Sequence, residues 1–389
     1  MSSAHYTKEM RKHILDNNNT GGVNIHDIFN HMKFNGIIPL LPEDKNGLKL
    51  IPGITSKVIV DAGILVGTSV NSLLKTEIHA NPDAGACFPD LDPENIDGWI
   101  YCSNSEIFSD NKEGGVYSFK FDKNSNVIDY YQICKNTTAN CGGGRSPWGT
   151  WLSCEEIAKP FSIRNTGSIW DCDPQGESRD KVIDSDIDKR DNATKLSGLG
   201  NSNGIYESIC FRKDSVTGYP VFYYTEDYTN KRLKRCTPTT YNFDSKTPWE
   251  YFQDESNCTV EYLKITDNTF DWVSDVLEGT RFDNAEGIDY SKNNDTIFFV
   301  TKKNKTIHQL NFRTLDYSAT STKDFIGVSI EPDQIKIDQT NDTIYFAEDT
   351  VDPQHSSSIF MSNNSTVKFP IVQTFNFDKY ENSETTGIA

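Results

Sequence analysis

The sequence predicts an all-β protein built from short, repeated antiparallel units. Almost every periodic segment after residue 40 is short, rich in β-branched or aromatic residues, and bounded by Gly, Asn or Asp, as in "GWIYCSNSE", "GGVYSFKFD" and "GYPVFYYTED". Such runs are typical of strands joined by tight turns. The segment "SKVIVDAG" at 56–63 has the same character and is also predicted to be a strand. Helical patterning is confined to residues 1–35, which we predict to be a helical lead-in to one domain spanning 36–389.

An internal repeat narrows the fold to a β-propeller. Two units, which begin at Glu286 and Asp333, share the cores "NDTIFF" and "NDTIYF", 47 residues apart. A period of about 45 residues with several strands per unit is typical of propeller blades, and we predict about six of them. A third unit opens with "ETTGIA" at Glu384, where the sequence stops after six residues. We therefore expect either that amino-terminal strands complete the last blade or that the sequence is a fragment.

Acidic side chains follow the ends of several predicted strands. These acids are Glu106, Glu155 with Glu156, Glu226 with Asp227, and Glu348 with Asp349, whereas "IFFVTKK" carries Lys302 and Lys303 at the corresponding place. If these strands are the innermost of their blades, their ends meet at the mouth of the central channel. Glu286 and Glu384, each just before a predicted strand, are expected to join them. Carboxylates so close together repel strongly, and bound cations are the usual remedy.

A thiol beside these acids suggests which metals are bound. Cys154 immediately precedes Glu155 and Glu156. A thiolate suits a softer transition metal, whereas carboxylates alone suit calcium or magnesium, so we expect a mixed cluster. The formal net charge of -18 agrees with a protein that holds several cations. It argues against nucleic acids and anionic membranes as main partners.

The cysteines and glycosylation sequons favour a secreted or otherwise extracytoplasmic protein. The chain has nine cysteines and nine N-x-[ST] sequons, although its first residues contain no apolar signal segment. If Cys154 binds a metal, eight cysteines remain for up to four disulfides, whose connectivity stays open. No apolar run approaches the ~20 residues that a membrane-spanning helix needs.

The run "NCGGGRSPWGTWLSCEE" resembles the signature of the PhoX-type alkaline phosphatase family: a Gly-rich turn, "PWGTW", then Cys-Glu-Glu. Further blocks in the family's order, including "YYTEDYTNKRLKR", "FDNAEGID" and "ETTGIA", extend the resemblance over residues 48–389, and "SNSE" is closer to eukaryotic or algal members. The resemblance implies a β-propeller that binds Fe³⁺ and Ca²⁺ at one end of its channel and hydrolyses phosphate monoesters. It implies that the iron-binding thiolate is Cys154 and that the other metal ligands are Glu155, Glu156, Glu226, Glu286 and Glu384, with Asn104 and Glu106 close by.

Two basic residues are candidates for binding the phosphoryl group. Arg145 immediately precedes "SPWGTW", and Lys302 stands where other blades carry acids. A guanidinium binds phosphate oxygens in pairs, and Lys302 offers a second positive charge. Each also has a purely structural interpretation, a loop-to-loop salt bridge for Arg145 and a solvated turn for Lys302. We predict a monomeric, metal-dependent phosphatase acting on small phosphate esters.

Two other functions stay open. A calcium-dependent lactonase or arylesterase uses a similar propeller with calcium and no iron, and a non-catalytic propeller keeps its metal for stability alone. Bound iron together with phosphatase turnover separates the first function from these, because a fold by itself does not fix the chemistry.

Overall fold

The computed structural model describes residues 40–67, 75–108, 113–157, 167–176, 193–200, 204–242, 244–323, 331–349, 358–363 and 367–374. The predicted helical lead-in at 1–35 and the predicted ligand Glu384 lie outside this part of the chain. Within it the regular structure is almost entirely antiparallel β, with short 3-10 helices at Pro248–Gln253 and Glu255–Asn257. None of the helices described is long and apolar enough to cross a membrane.

Three short strands precede the blades: β1 (Leu48–Leu50), β2 (Leu65–Gly67) and β3 (Lys75–Glu77). Five blades then follow in chain order, each a meander of four antiparallel strands. The first blade consists of β4 (Pro82–Pro89), β5 (Trp99–Ser105), β6 (Gly114–Phe121) and β7 (Val127–Thr137). The second consists of β8 (Asn140–Arg145), β9 (Trp151–Glu155), β10 (Ile169–Cys172) and β11 (Thr194–Lys195). The third consists of β12 (Tyr206–Lys213), β13 (Pro220–Glu226), β14 (Lys234–Pro238) and β15 (Cys258–Thr266), with β16 (Thr269–Val273) added at its outer edge.

The fourth and fifth blades are the two copies of the sequence repeat. The fourth consists of β17 (Ala285–Ser291), β18 (Thr296–Thr301), β19 (Thr306–Asn311) and β20 (Asp316–Ser321). The fifth consists of β21 (Pro332–Asp338), β22 (Thr343–Glu348), β23 (Ser358–Asn363) and β24 (Val367–Thr374). Asp295 and Asp342, at equivalent places in the first hairpin of each, both adopt positive φ, 50° and 59°. The predicted repeat and the all-β propeller are confirmed, with five blades inside the described residues.

The first strand of each blade lies next to the first strand of the following blade, in the order β4, β8, β12, β17 and β21. These five inner strands therefore surround the propeller axis. The glycines of β8 are needed for this packing, since a Cβ added at Gly142 would lie 1.9 Å from the Glu207 carbonyl oxygen, and one at Gly144 would lie 1.8 Å from the Ile209 carbonyl oxygen. The glycine run thus allows the backbone of β8 to press against that of β12.

Apolar clusters fill the spaces between adjacent blades. Leu152 and Ile169 of the second blade pack with Phe222 and Tyr224 of the third, and Trp148 joins the same cluster. The Trp148 indole donates a hydrogen bond to the Asp171 carboxylate at 3.2 Å. Similar clusters join the first blade to the second, the third to the fourth and the fourth to the fifth.

The backbone bears on two expectations about the amino-terminal part. The prediction of a strand at 56–63 is wrong, because these residues form no ladder and Val58 and Ile59 are largely exposed. An amino-terminal strand does join the carboxyl-terminal part of the propeller, as β1 pairs antiparallel with β24. It adds a fifth, outer strand to the fifth blade, whereas the unit that opens at Glu384 lies outside the described residues.

Candidate metal centre

The strands that end in acids are the second strands of their blades, so the prediction that they are innermost is wrong. β5, β9, β13 and β22 each pair with an inner strand on one side and with a third strand on the other. Because the second strand runs antiparallel to the first, its end lies beside the start of the inner strand. The acids therefore lie beside the starts of the inner strands, one strand further from the axis.

Near the start of every inner strand, at the equivalent position, lies an acid or a cysteine, whose side chain can bind a metal ion. Each of these five side chains is the second residue of its strand, and the ladder of each strand shifts register just after it. All five are buried, with exposed fractions of 9% or less. They are Asp83, Cys141, Glu207, Glu286 and Asp333, hereafter the inner ring.

A second set of five side chains surrounds the inner ring. The first residue of each inner strand pairs with the last residue of the second strand: Pro82↔Ser105, Asn140↔Glu155, Tyr206↔Glu226, Ala285↔Thr301 and Pro332↔Glu348. The residue that directly follows each second strand in the sequence is half-buried. These residues are Glu106, Glu156, Asp227, Lys302 and Asp349, hereafter the outer ring. Four are acids, and Lys302 occupies the fifth equivalent place.

Members of the two rings come close enough to share cations. Three groups have all their ligand atoms within 4.8 Å of one another: Asp83 with Glu106 and Cys141, Cys141 with Glu156 and Glu207, and Glu207 with Glu286 and Asp333. Cys141 belongs to the first two groups and Glu207 to the last two. The Cys141 thiol donates to Glu207 Oε2 at 2.9 Å, and the Gln334 amide donates to Glu207 Oε1 at 2.7 Å.

The electrostatics of these groups follow from burial and from like charges. Burial raises the pKa of Glu207 well above its ordinary value, and the neighbouring Asp333 and Glu156 raise it further. Burial likewise raises the pKa of Glu286, reinforced by Asp227 and Asp333. The pKa of the Cys141 thiol is raised by burial and then by the surrounding carboxylates. Without a cation, the protein holds protons here that it would lose in water.

Two further features mark the carboxylate-only group of Glu207, Glu286 and Asp333. Glu286 Oε1 is buried and accepts no hydrogen bond from the part of the chain that the structure describes. Lys302 forms an ion pair with Asp349 at the edge of this group. Burial by itself lowers the pKa of Lys302, but Glu286, Asp333 and Asp349 outweigh it and raise that pKa, so this lysine stays charged.

The structure places two of the predicted ligands beside this centre but gives them other partners. Cys154 is fully buried in the apolar cluster between the second and third blades, opposite Ile169 in the ladder. Glu155 accepts hydrogen bonds from the Thr138 backbone amide at 3.0 Å and the Trp170 indole at 2.9 Å. Neither belongs to the ligand groups found in the described residues. The thiol that the structure brings to the acids is that of Cys141.

Glu226 and Asn104 also have structural partners. Glu226 is paired with Lys231 at 3.0 Å and with Lys234 at 2.7 Å. The Asn104 amide donates to the carbonyl oxygens of Cys141 and Gly142 at 2.5 Å and 2.8 Å, so it holds the backbone that carries Cys141. Of the predicted ligands, Glu106, Glu156 and Glu286 do belong to the groups, and Glu384 lies outside the described residues.

Arg145 is separated from the acids. It is the last residue of β8, four residues beyond Cys141, or about 13 Å at the rise of a strand. Its guanidinium lies 5.5 Å from the centre of the Phe88 ring, and it lines a cavity at the opposite end of the inner strands. All nine cysteines are free thiols in this structure.

Four members of the three ligand groups were not among the ligands proposed from the sequence: Asp83, Cys141, Glu207 and Asp333. For Asp333 the repeat itself carries the signal, because it occupies the place of Glu286 in the next unit, 47 residues on. For the other three, the signal is a single acid or thiol ahead of a β-rich run. Such a residue becomes distinctive only when the inner strands have been identified.

Comparisons with known proteins agree with this architecture. The sequence profile of the family described as alkaline phosphatase PhoX matches residues 122–352, which is more than half of the chain. Pseudomonas fluorescens PhoX, solved with vanadate as a transition-state analogue, superimposes with a TM-score of 0.64 at 11% identity, covering 87% of this chain and 89% of that one. The periplasmic gluconolactonase PpgL of Pseudomonas aeruginosa gives a TM-score of 0.44 at 10% identity, with 79% and 80% covered, too low to carry an argument. A search of curated proteins found no match. The chain therefore belongs to the alkaline phosphatase PhoX family and is a phosphatase with a β-propeller fold.

Proposed function

We propose that the two rings hold Fe³⁺ and Ca²⁺ at one mouth of the propeller channel and that phosphate monoesters are hydrolysed there. The observation that carries this proposal is the set of three ligand groups joined through Cys141 and Glu207. Several ions can lie side by side in such an arrangement. A phosphoryl group offers three oxygens to neighbouring cations, whereas the carbonyl of a lactone offers one.

The residues present fit these metals. The thiol of Cys141 with Glu156 and Glu207 suits iron, because a thiolate prefers a softer ion than calcium. Glu207, Glu286 and Asp333 provide only carboxylate oxygens, which suits calcium. Glu286 Oε1, which accepts no hydrogen bond from the described residues, is available as a ligand for a cation. We assign Asp83, Glu106 and Cys141 to a third ion.

When bound, the ions neutralise the phosphoryl charge and act as Lewis acids. The chain's own contribution is to position and balance charge around the ester. Lys302 is the one cationic member of the two rings among the described residues, and its ammonium is held at the edge of the cluster by Asp349. We assign it to binding a phosphoryl oxygen. Asn104 acts through the backbone, since its two hydrogen bonds fix the carbonyls of Cys141 and Gly142, the two residues at the register shift of β8.

The same proposal covers the setting of the enzyme. We propose a monomer acting on small phosphate esters, located outside the cytoplasm, with residues 36–389 forming the catalytic domain behind a lead-in at 1–35. The family membership supports an extracytoplasmic location. The charge of -18 supports the exclusion of nucleic acids from its partners.

A matched pair of Glu→Gln variants tests the function. Glu207→Gln removes a carboxylate shared by two ligand groups, and we expect a loss of at least about 100-fold in p-nitrophenyl phosphate turnover, as for a ligand of a catalytic metal. Glu226→Gln, on the neighbouring strand but paired with two lysines, should keep its turnover within about tenfold of the wild type per folded molecule.

The alternatives are tested on the same preparations. Wild-type protein shown to contain iron is assayed with p-nitrophenyl phosphate, a lactone and an aryl ester. Turnover of the phosphate ester alone supports the proposal. Lactone or aryl-ester turnover without phosphatase turnover, or equal losses in the two variants, contradicts it.

A further inference from the structure

The channel is polarised, with acids where the inner strands begin and bases where they end. A cavity of about 530 Å³ lies at the second end and is lined by residues of all five inner strands or the turns that follow them. Its basic side chains are Arg145, Lys213, Lys292 and Lys336, and its acidic side chain is Asp289. Four cations against one carboxylate leave a formal charge of +3 in a chain whose overall charge is -18.

The single acid of this cavity is held by the backbone. Asp289 accepts hydrogen bonds from the amides of Tyr290 and Ile337, both at 2.8 Å. Burial raises the pKa of Asp289, whereas Lys336 and Arg145 lower it, so both cations lie close enough to act on this carboxylate. Asp289 thus offsets part of the positive charge of these two side chains and leaves the net charge of the cavity positive.

Three of the four bases have no ion-pair partner among the residues that the structure describes. Arg145, Lys292 and Lys336 take no part in the ion pairs found between residues that the structure describes. Basic side chains that converge on one cavity repel each other in the absence of an anion, and a bound anion relieves that repulsion. The apolar residues Ile209, Phe211 and Ile337 also line the cavity.

The cavity is distinct from the metal centre. Lys336 lies three residues beyond Asp333 on β21, and Lys213 lies six residues beyond Glu207 on β12, which is about 10 Å and about 20 Å along the strands. Between the two ends, the glycines of β8 bring the backbones of β8 and β12 into direct contact. A single phosphoryl group cannot touch both sets of side chains at once.

We propose that this basic cavity is a second anion site, which binds a phosphate-bearing small molecule independently of the metal centre. Lysine and arginine bind phosphate oxygens through charge-assisted hydrogen bonds, and the guanidinium of Arg145 supplies a paired set. The volume falls in the range of small-molecule sites, about 300–1,000 Å³, and exceeds what orthophosphate alone needs. The apolar wall suits an organic group attached to the phosphate. This site does not depend on the proposed function.

The test measures binding, not turnover. Purified wild-type protein and a Glu207→Gln variant are titrated calorimetrically with inorganic phosphate and with phenylphosphonate, which is not a hydrolysable ester. In the Glu207→Gln background, one anion should still bind. Adding Lys336→Met should weaken that binding by about tenfold or more, as expected for the loss of one charge-assisted contact. Tighter binding of phenylphosphonate than of phosphate identifies an organic phosphate as the ligand, and the reverse order identifies phosphate itself.

Lys264→Met is the matched control, because Lys264 lies on the outer strand β15 and pairs with the exposed Glu278. It removes one positive charge away from the cavity and should leave both affinities unchanged. Equal affinities in the Lys336→Met and Lys264→Met proteins, or loss of all anion binding in Glu207→Gln alone, overturns the proposal. If Glu207→Gln does not fold, the Lys336→Met and Lys264→Met comparison in otherwise wild-type protein decides the question in the same way.

Discussion

Replacing Glu286 with glutamine should stabilise the metal-free protein and weaken the stabilisation that calcium provides. Glu286 is 2% exposed, and one of its oxygens lies within 4.8 Å of ligand atoms of Glu207 and Asp333. Two charges at this distance repel by about 3.5 kcal/mol at an effective dielectric constant of about 20. Glutamine keeps the shape of the side chain and removes its charge.

The proton balance acts in the same direction. Burial raises the pKa of Glu286 well above the ordinary value of 4.5. A carboxyl group whose pKa is raised by folding contributes its full stability below pH 4.5, and this contribution is lost as the pH rises toward the folded-state pKa. Glutamine neither ionises nor repels its neighbours. Metal-free Glu286→Gln should therefore unfold with a higher free energy than metal-free wild type at pH 7, by at most about the 3.5 kcal/mol of one such repulsion.

Calcium should act in the opposite direction. Binding to the folded state alone stabilises the wild type by about 2.7 kcal/mol at a hundredfold excess over Kd, whereas the variant lacks one ligand oxygen and gains less. Urea unfolding of both proteins in EDTA and in calcium measures the four free energies. Glu278→Gln, at an exposed surface pair, is the control and should change each value by less than about 1 kcal/mol. Equal calcium responses in wild type and Glu286→Gln would refute the reasoning, as would a variant that is less stable in both conditions.

Three further predictions concern single positions. His79 is buried between Tyr130 and Ser103, and burial lowers its pKa to about 4, so its contribution to stability is complete above pH 6.5 and is lost, at about 1.4 kcal/mol per pH unit, as the pH falls toward 4. The unfolding free energy of His79→Gln should therefore depend less steeply on pH between 6.5 and 4. A slope equal to that of the wild type would show that His79 titrates normally. Gly142→Ala places a Cβ 1.9 Å from the Glu207 carbonyl oxygen and should lower both the unfolding free energy, by several kcal/mol, and the metal content. Gly149→Ala, whose Cβ would meet nothing within 4 Å but whose φ is 83°, should lower the unfolding free energy by only about 1–2 kcal/mol. Similar thermal midpoints for the two variants would contradict this prediction. Lys302→Met should raise the KM for p-nitrophenyl phosphate by about tenfold or more. The side chain of Lys303 is 58% exposed, and Lys303→Met should leave this KM unchanged. A larger effect at Lys303 than at Lys302 would show that Lys302 does not bind the phosphoryl group.

The sequence was enough to predict the fold and that acids from several blades lie close together. The repeat between Glu286 and Asp333 reported a blade directly, because both copies use the same hairpin with an Asp at positive φ. The equivalence of Lys302 with the acids of other blades also follows from that alignment, and the pairing Ala285↔Thr301 agrees with it.

The identity of the innermost strands could not be read from composition. Inner and second strands are both buried on two faces, so both appear as continuous β-rich runs without alternation. The sequence therefore favoured Cys154, which is followed by two acids, over Cys141, which is followed by three glycines. Only the pairing of β8 with β9 shows that the glycines lie in the inner strand and that Cys154 points into the core between blades.

We propose that Cys141, and not Cys154, is the thiolate of an iron site within the two rings. Metal analysis of Cys141→Ala and Cys154→Ala, expressed alike and compared per mole of folded protein, is the most direct test. We predict that Cys141→Ala loses most of its iron while keeping the propeller fold. Cys154→Ala should keep its iron and lose only stability, by about 1 kcal/mol for the small cavity left in the core. Full iron occupancy in Cys141→Ala, or loss of iron in Cys154→Ala alone, would contradict this assignment.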